Sequence, residues 1–472
     1  MIRSLGDRAV EKRTVMTDCG RSEPSQEAGA QLDTELPRCA VLRRCETLNR
    51  QALPSAINVR GILMRKSAKC ICFFALIWTA LSVSCSRSHS SQTIPWNAGA
   101  AAHYLDQREI TWAGWPGSAR DHNTFCVSCH TVLPYAICRP FLRAALGEQG
   151  PDPTESMVVD NVAKRVRFWN AEGPYYTDEG YGSGKAAESR GTEAVLNAVI
   201  LANTDVRSGT LSDITKTALS YMWTTQLTEG GERGAWAWLH FGMEPWEASD
   251  SQYYGAALAA LAVGIAPEDY RSRADIQPNL EMLRDFLNRQ YPEQSIANDI
   301  VLLWASTKLP NLIEPDRRTN IIDEIRKRQR DDGGWALSRL VCAKGWSLHA
   351  MRCEEFRTDW TLQETGSDGY ATGLITFVLQ AAGFSTQDPT VARGIAWLRE
   401  NQNEKDGSWP SWSLYEKRNS TSNVGHFMRD AATAYAVLAL TAHDASPATA
   451  KSDPTAKPVY SGRFNSLEAS TR

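Results

Sequence analysis

Two cysteines and a histidine stand close together in the stretch FCVSCHT, residues 125–131. Cys126 and Cys129 are three positions apart, and His130 follows directly. On a helix these side chains would share one face, so two thiols could reach the vinyl groups of a haem while the imidazole ligates its iron. The C-x-x-C-H spacing is typical of c-type haem attachment. We therefore expect covalent haem c, attached through Cys126 and Cys129, with His130 as the proximal metal ligand.

The same residues admit two other chemistries, a zinc site and a redox dithiol. A zinc site would need a second pair of ligands, yet ten residues separate Cys342 from Cys353 and Cys138 stands alone. A redox dithiol favours a thioredoxin-like βαβ context, whereas the sequence around the motif has a helical pattern. In an oxidising compartment, a disulfide between Cys342 and Cys353 is the simpler interpretation of that loop.

Two kinds of helical pattern alternate between about residue 100 and residue 442. One kind is small and apolar, as in YYGAALAALAVG (253–264), and should be buried on most sides. The other kind is amphipathic, as in VARGIAWLRENQ (391–402), and its charged face should meet water. This alternation predicts an inner and an outer layer of helices. The expected inner helices begin near residues 126, 193, 253, 299, 369 and 430.

Three turns that follow amphipathic segments have related sequences. They are QLTEGGERGAW (226–236), QRDDGGW (329–335) and QNEKDGSW (402–409). Glycine frees the backbone to turn after a helix, the Gln side chain can bond exposed backbone groups, and the Trp can cover the turn. Periodic similarity of this kind predicts a repeat architecture, in which these residues are structural and not catalytic.

The stretch RGIAWLRENQNEKDGSW (393–409) resembles the QW repeat of squalene–hopene cyclases and related prenyltransferase-type proteins, with one extra residue between Gln402 and Asp406. QRDDGGW matches the core of that repeat without an insertion. The resemblance covers roughly residues 190–442. It implies an all-α fold, an α/α toroid of inner and outer helices around a central cavity, which in the cyclases holds an isoprenoid.

The chemistry of the cyclases is not carried over with the fold. Those enzymes protonate their substrate with a D-x-D-D motif, and no such run occurs in this sequence. The nearest stretch is EPWEASDSQYYGA (244–256), where Glu247 and Asp250 precede an inner helix. We therefore expect that the protein does not cyclise squalene.

The C-x-x-C-H motif precedes the amphipathic segment ESMVVDNVAKRVRFWN (155–170), as an inner helix precedes an outer one elsewhere. We therefore expect the haem-binding segment, at about residues 100–165, to belong to the toroid, with the haem at the mouth of its cavity. The alternative is a separate small domain from residue 96 to about residue 165, and Pro134 counts against an unbroken first helix.

Acidic residues stand at the expected starts of several inner helices: Glu193, Asp250, Asp299, Asp368 and Asp430. One interpretation is that they cap free N–H groups and complement the helix dipole. The other is that they ring the cavity mouth, where they bind a cation or transfer protons. Trp236, Trp238 and Trp246 either line that cavity or pack in the core.

A sixth ligand for the haem iron is not defined by the sequence. His426 and Met428 are the most interesting pair, because they lie just before the last inner helix, which would close against the first. The other candidates are His103, His122, His240, Met157 and Met243. An open iron site favours small-molecule or peroxide chemistry, whereas a Met or His ligand favours electron transfer.

The segment MRKSAKCICFFALIWTALSVSC (64–85) has the basic start, short apolar stretch and small-residue end of a secretory signal peptide. Its end fits cleavage by ordinary signal peptidase and also lipidation at Cys85, which would give an exported, periplasmic protein or a membrane-anchored lipoprotein. Residues 1–63 are interpreted as a wrongly assigned or disordered extension, 86–99 as a linker and 443–472 as a disordered tail.

The chain has 472 residues, a formal net charge of -3 and a pI near 6.3, which exclude the basic field that a nucleic-acid partner would need. Two functions remain. The first is an exported haem protein on a toroid scaffold, which transfers electrons to an unknown redox partner or oxidises a ligand in the cavity. The second is a haem-free toroid, either a cyclase-like enzyme or a module that binds a hydrophobic small molecule, lipid or glycan. Whether the protein is an enzyme stays open.

Overall fold

The computed structural model describes residues 95–341, 366–414, 419 and 421–442. Within these ranges the chain is mostly helical, and the only sheet is a pair of two-residue strands. The predicted all-α class is therefore confirmed. The predicted extension, signal peptide, Cys85, the Cys342–Cys353 disulfide and the C-terminal tail lie outside the described residues.

Twelve long helices occur in the described ranges, and we number them in chain order. They are α1 (Ala98–Gly114), α2 (Val132–Leu146), α3 (Pro153–Arg167), α4 (Lys185–Asp205), α5 (Asp213–Thr224), α6 (Ser251–Ile265), α7 (Gln277–Gln290), α8 (Ile296–Ser306), α9 (Pro315–Lys327), α10 (Gly369–Ala381), α11 (Pro389–Glu400) and α12 (Asn423–Thr441). Shorter helical turns cover Asp121–Asn123, Asp178–Tyr181, Glu268–Arg271, Ala274–Ile276, Tyr291–Glu293 and Leu337–Arg339. Strands β1 (Ala119–Arg120) and β2 (Thr124–Phe125) pair antiparallel.

The even-numbered helices are buried on nearly all sides, whereas the odd-numbered helices bury one face. Every residue of α6 from Tyr253 to Gly264 is buried, which fits its composition of Ala, Leu, Val and Gly. In α9, the buried residues are Ile321, Ile322 and Ile325, and the remaining side chains are mostly charged. The predicted alternation of buried and amphipathic helices is confirmed for the described part of the chain.

The buried helices contact one another in a closed order. Helix α2 packs on α4, α4 on α6, α6 on α8, α8 on α10 and α10 on α12, and α12 packs on α2. Each amphipathic helix covers a buried neighbour: α3 and α5 pack on α4, α7 on α6, α9 on α8, α11 on α10, and α1 on both α2 and α12. The segment that contains the C-x-x-C-H motif therefore packs within the same body as the helices that follow it.

Side chains that precede several helices accept hydrogen bonds from the N–H groups of the first turn. These N–H groups have no acceptor within the helix itself. Asn97 Oδ1 accepts from the N–H of Ala100 at 2.9 Å, and Ser295 Oγ accepts from the N–H of Asn298 at 3.4 Å. Substituting such a cap typically costs about 1 kcal/mol. The sequence therefore defines these starts locally, before any long-range packing is considered.

The turn after α11 joins the last amphipathic helix to the first. The Gln402 amide donates to the Gly407 carbonyl and to the Asn97 carbonyl, both at 2.9 Å, and Asn97 is the cap of α1. The indole N–H of Trp409 donates to the Leu398 carbonyl of α11 at 2.7 Å, and Trp409 is fully buried. We call this set of bonds the Gln-Trp staple. It closes the order of helices from α11 back to α1.

The same staple recurs at the other two turns that the sequence singled out. Gln226 donates to the carbonyls of Gly234 and of Asn279 in α7, and Gln329 donates to those of Gly333 and of Thr390 in α11. The matching indole bonds join Trp236 to Met222 and Trp335 to Ile325. The predicted structural role of the Gln and Trp residues is thus confirmed.

The glycine two positions before each staple Trp lies against the next amphipathic helix. At Gly407 φ is +78°, and an added Cβ would stand 2.4 Å from the backbone of Ala100 in α1. At Gly333 φ is +92°, and a Cβ would stand 2.8 Å from the Arg393 carbonyl oxygen in α11. Glycine is therefore required both for the left-handed backbone and for the close approach. Separately, none of the helices in the described ranges is long and apolar enough to cross a membrane.

Candidate functional site

The prediction that Cys126, Cys129 and His130 share one face of a helix is wrong. Residues 126–128 have no regular secondary structure, 129–131 form a turn, and α2 begins only at Val132. The first expected inner helix therefore starts six residues later than predicted. Pro134 lies in the first turn of α2, where a missing N–H is tolerated, so it does not interrupt the helix.

Hydrogen bonds explain why the motif precedes the helix. The Cys126 N–H donates to the Ser118 carbonyl at 2.8 Å, and the Cys126 carbonyl accepts from the Trp112 indole at 2.8 Å. The first of these bonds continues the pairing of β1 with β2, and the second ties the motif to α1. The Ser128 hydroxyl then accepts from the N–H groups of Thr131 and Val132, both at 3.2 Å, which starts α2 at this point.

The two motif cysteines differ in their surroundings. Cys126 is half-buried and Cys129 is buried, and both are free thiols, as is the buried Cys138. Cys129 lies close enough to Tyr254, Tyr370 and Tyr435 to interact with them electrostatically. Burial raises the pKa of the Cys129 thiol well above its ordinary value, so this thiol is protonated at neutral pH and is a poor nucleophile.

The His130 imidazole is oriented by a short chain of polar groups. Its Nδ1 lies 2.8 Å from Thr131 Oγ1, and Thr131 Oγ1 donates to Asp430 Oδ2 at 3.0 Å. Because the single hydroxyl hydrogen goes to the carboxylate, the threonine oxygen accepts from the Nδ1–H of His130. The lone pair is then on Nε2. Burial lowers the pKa of His130 to about 3, so the ring is neutral at pH 7.

Three aromatic rings enclose the imidazole. The Phe427 ring stacks on His130 with centroids 3.6 Å apart and planes 13° apart, and the Trp112 ring meets it edge-on at 5.1 Å. The Trp246 centroid lies 5.9 Å away. These contacts fix the ring plane, while the bond to Thr131 fixes its rotation about the side-chain axis.

Asp430 is the carboxylate at the end of this chain, and it receives three donors. They are the Tyr104 hydroxyl at 2.9 Å, Arg108 Nε at 2.9 Å and the Thr131 hydroxyl at 3.0 Å. Burial raises the pKa of Asp430, and the Arg108 guanidinium opposes that shift. The sequence expected Asp430 at a helix start, but α12 begins at Asn423, so the residue lies inside the helix.

The other predicted acids have separate local partners. Glu193 lies inside α4 and pairs with Arg165 through bonds of 2.6 and 3.0 Å. Asp250 precedes α6 and accepts from the Asn298 amide at 3.0 Å. In the described part of the chain, Asp430 is the predicted acid that bonds to a residue next to the motif.

Asp368 behaves as the capping interpretation predicts. Its carboxylate accepts from the N–H of Ala371 at 3.0 Å and of Leu337 at 2.6 Å, and it starts α10. Burial nevertheless raises its pKa to about 6. Asp299 lies buried in the first turn of α8.

Buried aromatic side chains from several helices continue inward from His130. Trp246 contacts Tyr370 at 5.5 Å between centroids, Tyr370 contacts Tyr435 at 5.4 Å, and Tyr435 contacts Trp304 at 6.5 Å. Trp304 meets Phe377 at 5.3 Å. We call these five residues the central aromatic cluster. They come from α8, α10, α12 and the segment before α6.

The other two tryptophans considered in the sequence have packing roles. Trp236 belongs to a Gln-Trp staple. The Trp238 indole donates to the Trp246 carbonyl at 2.8 Å, and its ring meets Tyr254 edge-on. Trp246 is therefore the member of the predicted set that reaches His130.

The candidates for a sixth ligand do not converge on one position. Phe427, between His426 and Met428, is the residue whose ring lies on His130. Successive residues of a helix point about 100° apart, so His426 and Met428 point to either side of that contact. His103, His122 and His240 are exposed, whereas Met157 and Met243 are partly buried.

Several residues of the site escaped the sequence interpretation. Thr131 and Phe427 carried no signal of their own, because their roles depend on contacts between α2 and α12. Helix α1 was not predicted as an element, although Trp112 and Arg108 both serve the site. Arg108 stands among the apolar positions of AAHYLDQREITW (101–112), and this charged residue is the signal that could have revealed the buried face of α1.

A scan of protein-family models finds no match to this chain, and a search of curated proteins finds none either.

Proposed function

We propose that this chain is a c-type haem protein built on an α/α toroid of the squalene-cyclase type. The closed contact order of the six buried helices supports the toroid, as does the amphipathic helix that covers each of them. The Gln-Trp staples add a second line of support, because they join α5 to α7, α9 to α11 and α11 to α1 with the same atoms each time.

The orientation of His130 is the observation that carries the haem proposal. Histidines that ligate metals commonly donate their second ring N–H to an acceptor that fixes the tautomer and raises ligand basicity. Here Thr131 and Asp430 supply that acceptor, and Nε2 keeps the lone pair. The neutral ring needs to lose no proton before it ligates iron. His130 thus fits the role of axial ligand.

Cys126 and Cys129 would hold the group covalently, since both are free thiols within the turn that ends at His130. When bound, the haem supplies a one-electron couple at its iron. The protein holds and orients the imidazole, and the rings of Trp112 and Phe427 cover part of its surface. An apolar surrounding of this kind would also influence the reduction potential.

Zinc and dithiol chemistry fit these residues less well. No group of three or more His, Cys, Asp or Glu side chains in the described ranges is arranged to hold a metal ion, so the motif side chains do not converge as zinc ligands do. A dithiol needs an attacking thiolate, and burial of Cys129 favours its protonated form. Thioether attachment requires no convergence on one point.

Electron transfer and oxidation of a bound ligand are both consistent with such a site. The signal-peptide pattern of residues 64–85 supports export to the periplasm, with or without a lipid anchor at Cys85. This proposal implies that haem is attached covalently in the periplasm. It also implies a redox partner, either soluble or in the membrane.

A haem-free toroid is the second candidate, and the central aromatic cluster favours it. Trp304, Phe377 and Tyr435 lie where buried helices meet, and large apolar rings would suit a hydrophobic small molecule such as a lipid. In this case the motif cysteines would be packing residues, and the protein would carry no prosthetic group.

Expression in a bacterial host that exports proteins and attaches haem c separates the two candidates. We expect a Soret band, a mass increase of one haem, and colour that survives acid–acetone extraction. Replacing Cys126 and Cys129 by Ala should abolish attachment, whereas His130→Ala should chiefly change the spectrum. Cys138→Ala, which removes the third buried or half-buried thiol, serves as the matched control and should leave attachment intact. Wild-type protein without haem in mass and spectrum would favour the haem-free toroid.

A further inference from the structure

Glu109 in α1 is a fully buried carboxyl group that has no hydrogen-bond partner in the described part of the chain. Its exposed fraction is 0%, and neither carboxyl oxygen has a partner among the described residues. An unpaired carboxylate in such a place would cost many kcal/mol, so the group binds a proton instead. Burial raises the pKa of Glu109 well above its ordinary value, and the nearby Asp430 carboxylate adds to this shift.

The cations near Glu109 are already bound to other carboxylates. Arg108, the adjacent residue, places its Nε 2.9 Å from Asp430. Arg139 in α2 pairs with Asp106 at 3.0 Å and with Glu148 at 2.7 Å. Glu109 therefore gains no ion pair, although positive side chains lie close by.

The groups that face Glu109 come from each helix packed against α1. They are Asp106 and Arg108 on α1 itself, Tyr135 and Cys138 on α2, and Asp430 on α12. Glu155 on α3 interacts electrostatically with Cys138. Of these, Asp430 is bonded through Thr131 to the His130 ring. Two hydrogen bonds thus connect His130 to Asp430, the carboxylate whose charge raises the pKa of Glu109.

We propose that Glu109 is a buried proton-binding site whose occupancy responds to the charge at the His130 site through Asp430 and Thr131. The response to redox change depends on the proposed haem function, but the buried proton itself does not. With haem bound, oxidation of its iron by an external one-electron acceptor would make the site one unit more positive. The O–H bond of Glu109 would then break and its proton would pass to water, so that the oxidised protein holds Glu109 as a carboxylate and reduction returns the proton.

Infrared spectroscopy of the haem-free protein, or of the protein with its haem reduced, tests the buried proton. We expect a carboxylic-acid C=O band at pH 7 that shifts in D2O and is absent in Glu109→Gln. Glu193→Gln is the matched control, because that carboxyl is also buried but paired with Arg165, and its loss should leave the band unchanged. Absence of the band in wild-type protein overturns the proposal, whatever the variants do. Loss of the band in Asp430→Asn but not in Glu109→Gln also overturns it, since the proton would then belong to Asp430.

The reduction potential of the haem-loaded protein tests the coupling. We expect the wild-type potential to fall as pH rises, because reduction takes up a proton. A tenfold change in proton activity corresponds to at most about 59 mV for one electron. Glu109→Gln should flatten this dependence, whereas Glu193→Gln should retain it. An equal slope in wild type and Glu109→Gln overturns the coupling. If no haem is attached, the proposed function fails, and the infrared result still decides whether Glu109 holds a proton.

Discussion

Thr131 decides which nitrogen of His130 carries a hydrogen. Its hydroxyl stands between the imidazole and Asp430, and it accepts from one while it donates to the other. A buried donor or acceptor that loses its partner costs about 1–3 kcal/mol. The threonine is therefore a positioning residue, which acts on the site through the imidazole.

Replacing Thr131 by Val removes the hydroxyl and keeps the shape of the side chain. We expect the free energy of unfolding to fall by about 1–3 kcal/mol, because His130 loses an acceptor and Asp430 loses a donor. In haem-loaded protein the ligand field at the iron should also change, as seen in the absorption and magnetic spectra. Thr131→Ser keeps the hydroxyl and is the control. Equal behaviour of the two variants would contradict this role.

Asp368 should give the protein a defined pH dependence of stability. Its pKa is about 6 when folded, against an ordinary value of 3.8. The folded state therefore binds more protons than the unfolded state between these values, so stability falls as pH rises from about 4 to 6 and stays level above. The difference corresponds to about 3 kcal/mol.

The comparison variant for this effect is Asp368→Asn, whose side-chain oxygen can still accept from Ala371. Urea unfolding at a series of pH values should show wild type losing stability relative to the variant between about pH 4 and 6. A constant difference across that range would mean that Asp368 stays ionised when folded.

At the residue scale the sequence predicted the chemistry-bearing side chains but not their conformation. The spacing of Cys126, Cys129 and His130 fits a helix, yet the bond from Cys126 to Ser118 holds the first cysteine beside a strand. Such a bond depends on residues outside the motif. For the same reason Glu109 was missed, since its burial follows from the packing of α1 on α2 and α12.

Among the elements, the Gln-Trp staples are the most regular feature. Each one uses a Gln amide to satisfy two backbone carbonyls, one in its own turn and one at the start of the next amphipathic helix. Gly407 is buried and its carbonyl needs a donor, whereas Asn97 is exposed. The staple thus fixes the angle at which one outer element follows another.

Gln402→Ala should destabilise the protein by about 1–3 kcal/mol, because the Gly407 and Asn97 carbonyls lose their donor. Chemical denaturation with a tryptophan fluorescence readout measures this loss. Gln387→Ala, at an exposed position before α11, is the control and should change stability by less than about 0.5 kcal/mol. Similar losses in both variants would mean that the staple contributes nothing specific.

Element type was predictable where composition is extreme. The apolar run 253–264 predicted a buried helix, and the charged sequence of α9 predicted a helix with one face in water. Both predictions needed only the local sequence. Helix α12 begins at Asn423, seven residues before the expected start at 430, because the Ser422 cap and not the apolar pattern determines its first turn.

At the scale of the whole molecule, the arrangement of buried acids argues against cyclase chemistry. The sequence predicts a resemblance to squalene–hopene cyclases, which protonate their substrate with a D-x-D-D motif that this sequence lacks. The Asp430 carboxylate accepts hydrogen bonds from Arg108, Tyr104 and Thr131, so it is a poor proton donor. We expect no cyclised product after incubation with squalene.

Product analysis by gas chromatography and mass spectrometry, with a characterised squalene cyclase as the positive control, checks this expectation. Detectable hopene would contradict it and would direct attention to Asp250, the acid in front of α6. The Asp250→Asn variant would then reveal whether that residue replaces the missing motif.

The bond from Tyr104 to Asp430 joins residues that are 326 positions apart. In the export proposed here the N-terminal part of the chain crosses first, so α1 and α2 would reach the periplasm before α12 arrives to cover them. Contacts of such large sequence separation form late and slowly. The turn with Cys126 and Cys129 would remain open to an enzyme that modifies cysteines throughout this interval. Under the proposed function, the late arrival of the last helix would give the chain a period in which haem attachment precedes folding, and truncation before residue 423 should prolong that period.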